Sequence, residues 1–158
     1  MLPRILKTQF NFNARVSTRL LSSKTGPKIY NFKEIKQIVE NPDQNTGRVL
    51  VDVRESNELS SYRLPNSINV PYNSFPNAFG FTRDQFQEQF KITKPEDGKE
   101  LVFFCAKGIR ASNAEKLARS FGYENTAVYP GSITDWLAKG GADVKPKKKN
   151  SKMFIDTC

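Results

Sequence analysis

Two short apolar runs constrain the fold of this chain more than any other feature of its sequence. Val49–Arg54 and Leu101–Phe104 are nearly continuously apolar, which is typical of strands that are buried on both faces. Helical patterns follow both runs, and strands that alternate with helices favour an α/β domain. The sequence therefore predicts an α/β fold with a mainly parallel central sheet and helices on both faces.

The other elements follow from shorter patterns. Further strands are predicted at 28–30, 67–70 and 127–129. Helices are predicted after a cap at Asn31, at 56–62, around 84–90, at 110–121 before Gly122, and after a cap at Ser132. The residues expected to point into the core from these helices are apolar at helical spacing, and they are Phe32, Ile35, Ile38, Val39, Ala111, Ala114, Leu117, Ala118, Phe121, Ile133, Trp136 and Leu137.

The loop Cys105–Arg110 joins the second buried strand to a predicted helix. Successive backbone N–H groups converge in such a loop, and the positive end of the helix dipole points at the cysteine sulfur. These surroundings stabilise a thiolate, which is the nucleophilic form of cysteine. Because the chain contains no histidine, an imidazole of this chain cannot serve as the base. If Cys105 is a nucleophile, the loop itself must activate it.

Asp52 and Arg54 lie at the end of the other buried strand. Ligands of open α/β sheets bind at the carboxyl ends of the strands, so both residues are candidates for the same site as Cys105. We expect Asp52 to be a structural acceptor that fixes loop N–H groups. For Arg54 two alternatives stay open: it neutralises a substrate, or it pairs with Glu55 or Glu58.

The positive charge of the chain lies at its two ends. Of the formal net charge of +9, residues 1–24 contribute five basic residues and no acid, and residues 145–158 contribute five lysines against one aspartate. The body between them has 15 basic and 15 acidic residues. A surface that follows a phosphate backbone needs clustered charge on the folded body, so we do not expect binding to nucleic acid.

The first 24 residues have the composition of a mitochondrial transit peptide. They combine spaced arginines with several serines and threonines, and the first acidic residue of the chain is Glu34. We expect cleavage near Leu21 and a mature protein in the mitochondrion, in its matrix. The predicted organisation is a transit peptide at 1–24, one domain at 28–144 and a lysine-rich disordered tail at 145–158. No run approaches the roughly 20 apolar residues that a membrane span needs.

The two cysteines are too far apart in the sequence to make a metal framework, and we expect neither a metal nor another cofactor. Cys158 is the last residue and follows the lysine-rich run. We interpret it as a free thiol, with resolution of an oxidised Cys105 as the alternative.

An ordered set of motifs in this chain resembles the rhodanese family of sulfurtransferases in its single-domain form. The segments that carry the resemblance are Val51–Glu55, Leu64-Pro65, Ile68–Pro71, Cys105–Arg110, Gly122-Tyr123, and Gly131 with Ile133 and Trp136. They extend from about Ile29 to Gly141, which is nearly the whole predicted domain. The sequence departs from the family pattern where Arg63 replaces a histidine, Asn66 a glycine, Ala106 a basic residue and Pro130 the first glycine of a pair.

The resemblance implies a rhodanese-like fold and a thiosulfate sulfurtransferase activity. In that chemistry, Cys105 takes the outer sulfur of thiosulfate as a persulfide and passes it to a thiol such as glutathione, or to cyanide. The backbone N–H groups of Ala106, Lys107, Gly108, Ile109 and Arg110 would hold the persulfide. Lys107 would attract the anionic donor, Gly108 would permit the loop geometry, and Arg110 would brace the loop or meet the substrate.

Two other functions compete with this one. Phosphatases related to this fold place five residues between cysteine and arginine, whereas four residues separate Cys105 from Arg110 and Ala111 stands at the next position. The shorter loop makes a phosphatase or arsenate reductase the weaker alternative. The stronger alternative is a persulfide carrier or sulfur-relay module that transfers its sulfur only to a protein partner, which the sequence does not identify.

Overall fold

A computed structural model describes residues 26–147 of the chain. The predicted transit peptide at 1–24, Cys158 and most of the predicted tail lie outside the described residues. The strands are β1 (Lys28–Ile29), β2 (Arg48–Asp52), β3 (Ser67–Asn69), β4 (Glu100–Phe104) and β5 (Thr126–Val128). The α-helices are α1 (Phe32–Glu40), α2 (Arg83–Phe90), α3 (Ile109–Ser120) and α4 (Ser132–Ala138).

The five strands form one parallel sheet in the order β1-β5-β4-β2-β3. The longest strands, β2 and β4, lie side by side near its centre, and in their register Asp52 pairs with Phe104 on one side and with Asn69 on the other. Since these three residues end their strands, the carboxyl ends of β3, β2 and β4 form one row. Cys105 directly follows this row at the end of β4.

The sheet separates two apolar clusters, as the alternation of side chains along a strand requires. In β4, Leu101 and Phe103 belong to one cluster, and Val102 and Phe104 belong to the other. Helices α2 and α3 cover the first face, and α1 and α4 cover the second. This arrangement confirms the predicted α/β fold with a parallel sheet buried on both faces.

The helices end where a capping side chain or a following glycine lets the free backbone groups form hydrogen bonds. Asn31 caps α1 in a reciprocal pair with Glu34, as its position before the apolar stripe predicts. Gly122, with φ of +99°, ends α3, where its N–H bonds to the carbonyl of Arg119 and the N–H of Tyr123 bonds to that of Ala118. Both predicted boundaries agree with the structure.

Four sequence predictions about the helices are wrong in detail. Phe121 and Leu137 were expected in the core, but each is 42% exposed, because Phe121 lies beyond the last turn of α3 and Leu137 faces away from the sheet. The polar stretch predicted as a helix at 56–62 is a 3-10 helix at Ser56–Ser60. Ser132 does not cap α4 but is its first residue, with a left-handed backbone (φ of +53°) and its hydroxyl bonded elsewhere.

Candidate active site

Cys105 is a buried thiol whose sulfur faces a backbone amide of its own loop. The residue is 2% exposed, and the N–H of Gly108 donates to the Cys105 Sγ over 3.0 Å. Helix α3 begins at the next residue, Ile109, so its first N–H groups, which have no partner inside the helix, lie at the same end as the sulfur. The sequence predicted this geometry for the loop, with backbone N–H groups and a helix N-terminus facing the sulfur.

Gly108 gives the loop a shape that no other residue would adopt freely. Its φ is +91°, in the left-handed region, and a Cβ at this position would overlap the backbone carbonyl of Pro130. Gly108 thereby lets the loop turn back toward Cys105 and pack against the segment before α4. The predicted need for glycine at this position has both a dihedral and a steric cause.

The first turn of α4 holds the other side of the loop. The N–H of Ile133 donates to the carbonyl of Cys105 over 3.0 Å, and the N–H of Thr134 donates to the carbonyl of Ala106 over 3.1 Å. The Thr134 hydroxyl donates to the same carbonyl over 2.8 Å. The hydroxyl of Ser132 accepts from the N–H of Cys105 over 3.1 Å and lies 4.0 Å from its Sγ. The backbone of Cys105 and Ala106 is therefore fixed by one helix end.

Arg110 braces the loop through a two-pronged ion pair. Its guanidinium donates to both carboxylate oxygens of Glu58, over 2.6 and 2.8 Å. The pair lowers the pKa of Glu58 to about 2 and raises the pKa of Arg110. Glu58 also accepts from the N–H of Glu55, which ties the 3-10 helix to the end of β2. This ion pair is the kind of brace that the sequence analysis gave as one alternative for Arg110.

Asp52 and Arg54 form a buried ion pair instead of two separate groups. Arg54 is 3% exposed. Its Nη2 donates to Asp52 over 2.6 Å and to the carbonyl of Tyr62, and its Nη1 donates to the carbonyl of Glu58. Asp52 also accepts from the backbone N–H of Arg54 over 3.0 Å, as expected of a structural acceptor. The expected pairing of Arg54 with Glu55 or Glu58 is wrong, because the carboxylate two residues earlier is already aligned with it. Within the site, the guanidinium of Arg54 is bonded to Asp52 and to two backbone carbonyls.

Two predicted residues of the loop face outward. Lys107 is exposed, and its side chain makes no hydrogen bond or ion pair within residues 26–147. Ile109 is 75% exposed, although it is the first residue of α3. The loop therefore presents one cationic and one apolar side chain at its rim, while Cys105 lies beneath them.

Sequence reasoning missed two of the residues that shape this site. Ser132 was interpreted as a helix cap, but its backbone lies in the left-handed region that favours glycine. Glu55 was considered as a possible partner for Arg54 and as part of the family motif, but its carboxylate accepts from the N–H of Asn73 and from the hydroxyl of Ser74. For Ser132 no sequence signal distinguishes a cap from this contact, because both place a serine before an apolar helix.

Within residues 26–147, histidine, cysteine, aspartate and glutamate side chains nowhere gather in groups of three or more that would hold a metal ion. In that range, too, every helix falls short of the length and apolar character needed to cross a membrane.

Comparison with known proteins places the chain in a family. The rhodanese-like domain model matches residues 31–139. Mitochondrial thiosulfate sulfurtransferase RDL2 of Saccharomyces cerevisiae is 54% identical over 138 residues, which are 86% of this chain and 91% of that protein. A thiosulfate:glutathione sulfurtransferase of the same yeast is 50% identical over 112 residues, 71% of this chain and 79% of that protein.

Solved structures agree with the sequence relatives. The crystal structure of the single-domain sulfurtransferase RDL2 of Saccharomyces cerevisiae superposes with a TM-score of 0.74 at 55% identity, over 78% of this chain and 99% of that one. The human single-domain sulfurtransferase TSTD1 gives a TM-score of 0.63 at 30% identity, over 73% and 98% of the two chains. With the parallel sheet and the cysteine loop described above, these matches show that the chain belongs to the rhodanese-like domain family.

Proposed function

We propose that this protein is a thiosulfate sulfurtransferase that carries sulfur on Cys105 and passes it to a thiol. The observation that carries the proposal is the Cys105 Sγ held 3.0 Å from the Gly108 N–H at the start of α3. A sulfur anion in that position is stabilised without a neighbouring base, which suits a chain that contains no histidine. The yeast relatives named for thiosulfate and for glutathione support the choice of donor and acceptor.

In the first half of the reaction, the Cys105 thiolate attacks the outer sulfur of thiosulfate. A new S–S bond forms to Cys105, the S–S bond of thiosulfate breaks, and sulfite leaves with its electron pair. The product on the enzyme is a persulfide anion, so the charge on the loop is the same before and after the step. We propose that the N–H groups of residues 106–110 hold this anion, which the bond from the Gly108 N–H to the Cys105 Sγ supports.

In the second half, an acceptor thiolate attacks the outer sulfur of the persulfide. The S–S bond to Cys105 breaks, its electron pair returns to the Cys105 thiolate, and the acceptor leaves as a persulfide. Because the enzyme alternates between two covalent states, the kinetics are expected to be ping-pong. Glutathione is the acceptor we propose, since a relative that the chain resembles at 50% identity is named for it.

The residues around the loop supply position and charge. We propose that Arg110 stabilises the loop, which its ion pair with Glu58 supports. Lys107 is the exposed cation of the loop, and we propose that it attracts the thiosulfate dianion. We further propose that the protein works in the mitochondrial matrix, supported by the composition of residues 1–24 and by the mitochondrial name of the yeast relative.

The first experiment is the intact mass of the protein after thiosulfate, with and without glutathione afterwards. We expect wild type to gain one sulfur, about 32 Da, which glutathione then removes with many turnovers of sulfite release. Cys105→Ser should neither gain the sulfur nor release sulfite, whereas Cys158→Ser should remain nearly as active as wild type. Equal loss in both variants would overturn the single-thiol mechanism, and a sulfur that resists small thiols would favour the carrier.

A further inference from the structure

The hydroxyl of Ser132 is a fully buried group that the proposed chemistry does not use. Ser132 is 0% exposed, and its Oγ accepts from the Cys105 N–H while donating to the carbonyl of Tyr129 over 2.9 Å. A serine hydroxyl has one proton to donate; the Tyr129 carbonyl at 2.9 Å is the nearer acceptor, and the Cys105 Sγ lies at 4.0 Å. The oxygen is thus oriented to receive the amide of the nucleophile.

The Cys105 N–H depends on the Ser132 oxygen, because Cys105 follows the last residue of β4 that pairs with a neighbouring strand. A buried N–H without a partner is costly, so the amide must find an acceptor or shift toward one. The Cys105 carbonyl accepts from the backbone N–H of Ile133. The Cys105 N–H is therefore the backbone group of this residue that bonds to a side chain, that of Ser132. Rotation of this peptide would move the Cβ, and with it the Sγ away from the Gly108 N–H.

The backbone of Ser132 is strained in a way that glycine would relieve. Its φ of +53° lies in the left-handed region, where a residue with a Cβ is disfavoured and glycine is not. The chain nevertheless places a serine here, next to its nucleophile. Strain of this kind persists where surrounding contacts compensate for it, and the only polar contacts of the side chain are with Cys105 and Tyr129 among the described residues.

We propose that Ser132 is a positioning residue for Cys105, whose hydroxyl fixes the nucleophile's amide and so aims its sulfur at the loop N–H groups. The proposal rests on the proposed function in that Cys105 is the reacting thiol. Removal of the hydroxyl should therefore lower the reactivity of Cys105 by more than the loss of fold stability alone would explain.

Ser67 offers a matched control for the structural part of this contact. Ser67 is also buried, at 7% exposure, and its hydroxyl donates to the carbonyl of Leu64, three residues earlier, as that of Ser132 does to Tyr129. It lies at the beginning of β3, at the opposite end of the sheet from Cys105. A Ser67→Ala variant therefore loses the same kind of bond without touching the nucleophile.

The test compares Ser132→Ala, Ser132→Gly and Ser67→Ala in the full chain, well below their melting temperatures. Single-turnover sulfur loading from thiosulfate is followed by mass, together with the rate of alkylation of Cys105 by iodoacetamide, assigned by peptide mapping. We expect both Ser132 variants to load sulfur roughly 10-fold more slowly, with the half-saturating thiosulfate concentration unchanged because Ser132 does not contact the donor. Ser132→Gly should melt at a higher temperature than Ser132→Ala, and Ser67→Ala should load at the wild-type rate.

The outcomes separate the inference from the proposed function. If Ser132→Gly regains wild-type loading, or if Ser67→Ala slows loading as much as Ser132→Ala, the hydroxyl does not position the nucleophile and the inference is overturned. If wild type takes no sulfur from thiosulfate, the proposed function fails, and the alkylation rates alone then test the inference. A roughly 10-fold slower alkylation in both Ser132 variants would support it in that case as well.

Discussion

The backbone carbonyl of Pro130 occupies the space that a side chain on Gly108 would need. Gly108 lies in the cysteine loop, whereas Pro130 lies in the loop before α4. Their contact lets the Gly108 N–H reach the Cys105 Sγ at 3.0 Å while the first turn of α4 holds the carbonyls of Cys105 and Ala106. The loop geometry therefore depends on a close approach of two backbone segments as much as on the φ of Gly108.

Gly108→Ala should abolish sulfur transfer. The added methyl group meets the Pro130 carbonyl, and an L-residue at φ of +91° adds strain, so the loop must move and its N–H groups no longer converge on the sulfur. We expect at least 100-fold slower sulfite release and a loss of roughly 3 kcal/mol in the free energy of unfolding. Steady-state assays and urea denaturation measure the two effects.

Gly122→Ala is the control for this substitution. Gly122 has a similar φ of +99°, but a Cβ there meets nothing within 4 Å. It should lose about 1 kcal/mol of stability from strain alone and keep its activity. An active Gly108→Ala protein would show that the close approach to Pro130 is not needed.

Lys107→Ala should weaken the capture of thiosulfate without slowing the chemical step. A single cation that attracts a dianion through water, at a separation of roughly 7 Å, is expected to change the Michaelis constant about 3-fold at moderate ionic strength. The same change in Lys116, an exposed lysine further along α3, should have no effect. The measurement is the Michaelis constant for thiosulfate at low and high salt. A difference between wild type and Lys107→Ala that persists at high salt would argue against simple attraction.

The sequence predicted the frame of the fold because its signals are local and strong. The apolar runs at 49–54 and 101–104 and the cap at Asn31 each determine their element through burial or a hydrogen bond close in sequence. The parallel order of the strands then places Cys105 and Asp52 at one edge. The cysteine loop was predictable for the same reason, since a strand, a glycine and a helix follow one another within a few residues.

The contacts between the loops were not predictable, because they join residues distant in sequence. Arg110 finds Glu58 across 52 positions, and Ser132 finds Cys105 across 27. Arg54 shows a different limit: its partner Asp52 is only two residues away, but the choice among three nearby carboxylates depends on which of them the fold buries. Burial decides against Glu55 and Glu58, which face the neighbouring loop and Arg110.

Replacing Asp52 by Asn should destabilise the fold strongly. The variant leaves the Arg54 guanidinium, 3% exposed, without its buried counter-charge, and breaking such a pair costs about 3 kcal/mol or more. Arg54→Met should also destabilise the protein, because it leaves the Asp52 carboxylate unpaired. The double variant, with both charges removed, should be less destabilised than the sum of the two single variants. Urea denaturation of all four proteins measures this coupling, and strict additivity would contradict the ion pair.

The Arg54→Met variant also decides whether this residue contacts the substrate. If Arg54 is structural, as its burial and bonds indicate, the folded fraction of the variant should retain the wild-type Michaelis constant for thiosulfate. A large rise in that constant in fully folded protein would instead restore the substrate contact expected from the sequence.

Glu58→Gln should lower stability at neutral pH by an amount that disappears in acid. Arg110 lowers the pKa of Glu58 from 4.5 to about 2 in the folded protein, so the ionised carboxylate stabilises the fold above its unfolded pKa. That stabilisation is lost as the pH falls from about 4.5 toward 2, where the carboxylate becomes protonated in both states. Because the Glu58 side chain is 34% exposed, solvent screening reduces the expected contribution to about 1 kcal/mol at pH 7.

The measurement is urea denaturation of wild type and Glu58→Gln at pH 7, 5 and 3. The difference in unfolding free energy should be constant between pH 7 and 5 and should shrink by more than half at pH 3. Glu88→Gln removes an exposed carboxylate of α2 that makes no ion pair within residues 26–147, and it is the control for the loss of charge alone. A Glu58→Gln difference that stays constant down to pH 3 would mean that the pair with Arg110 does not stabilise the fold, and that the brace acts on the loop without a contribution to global stability.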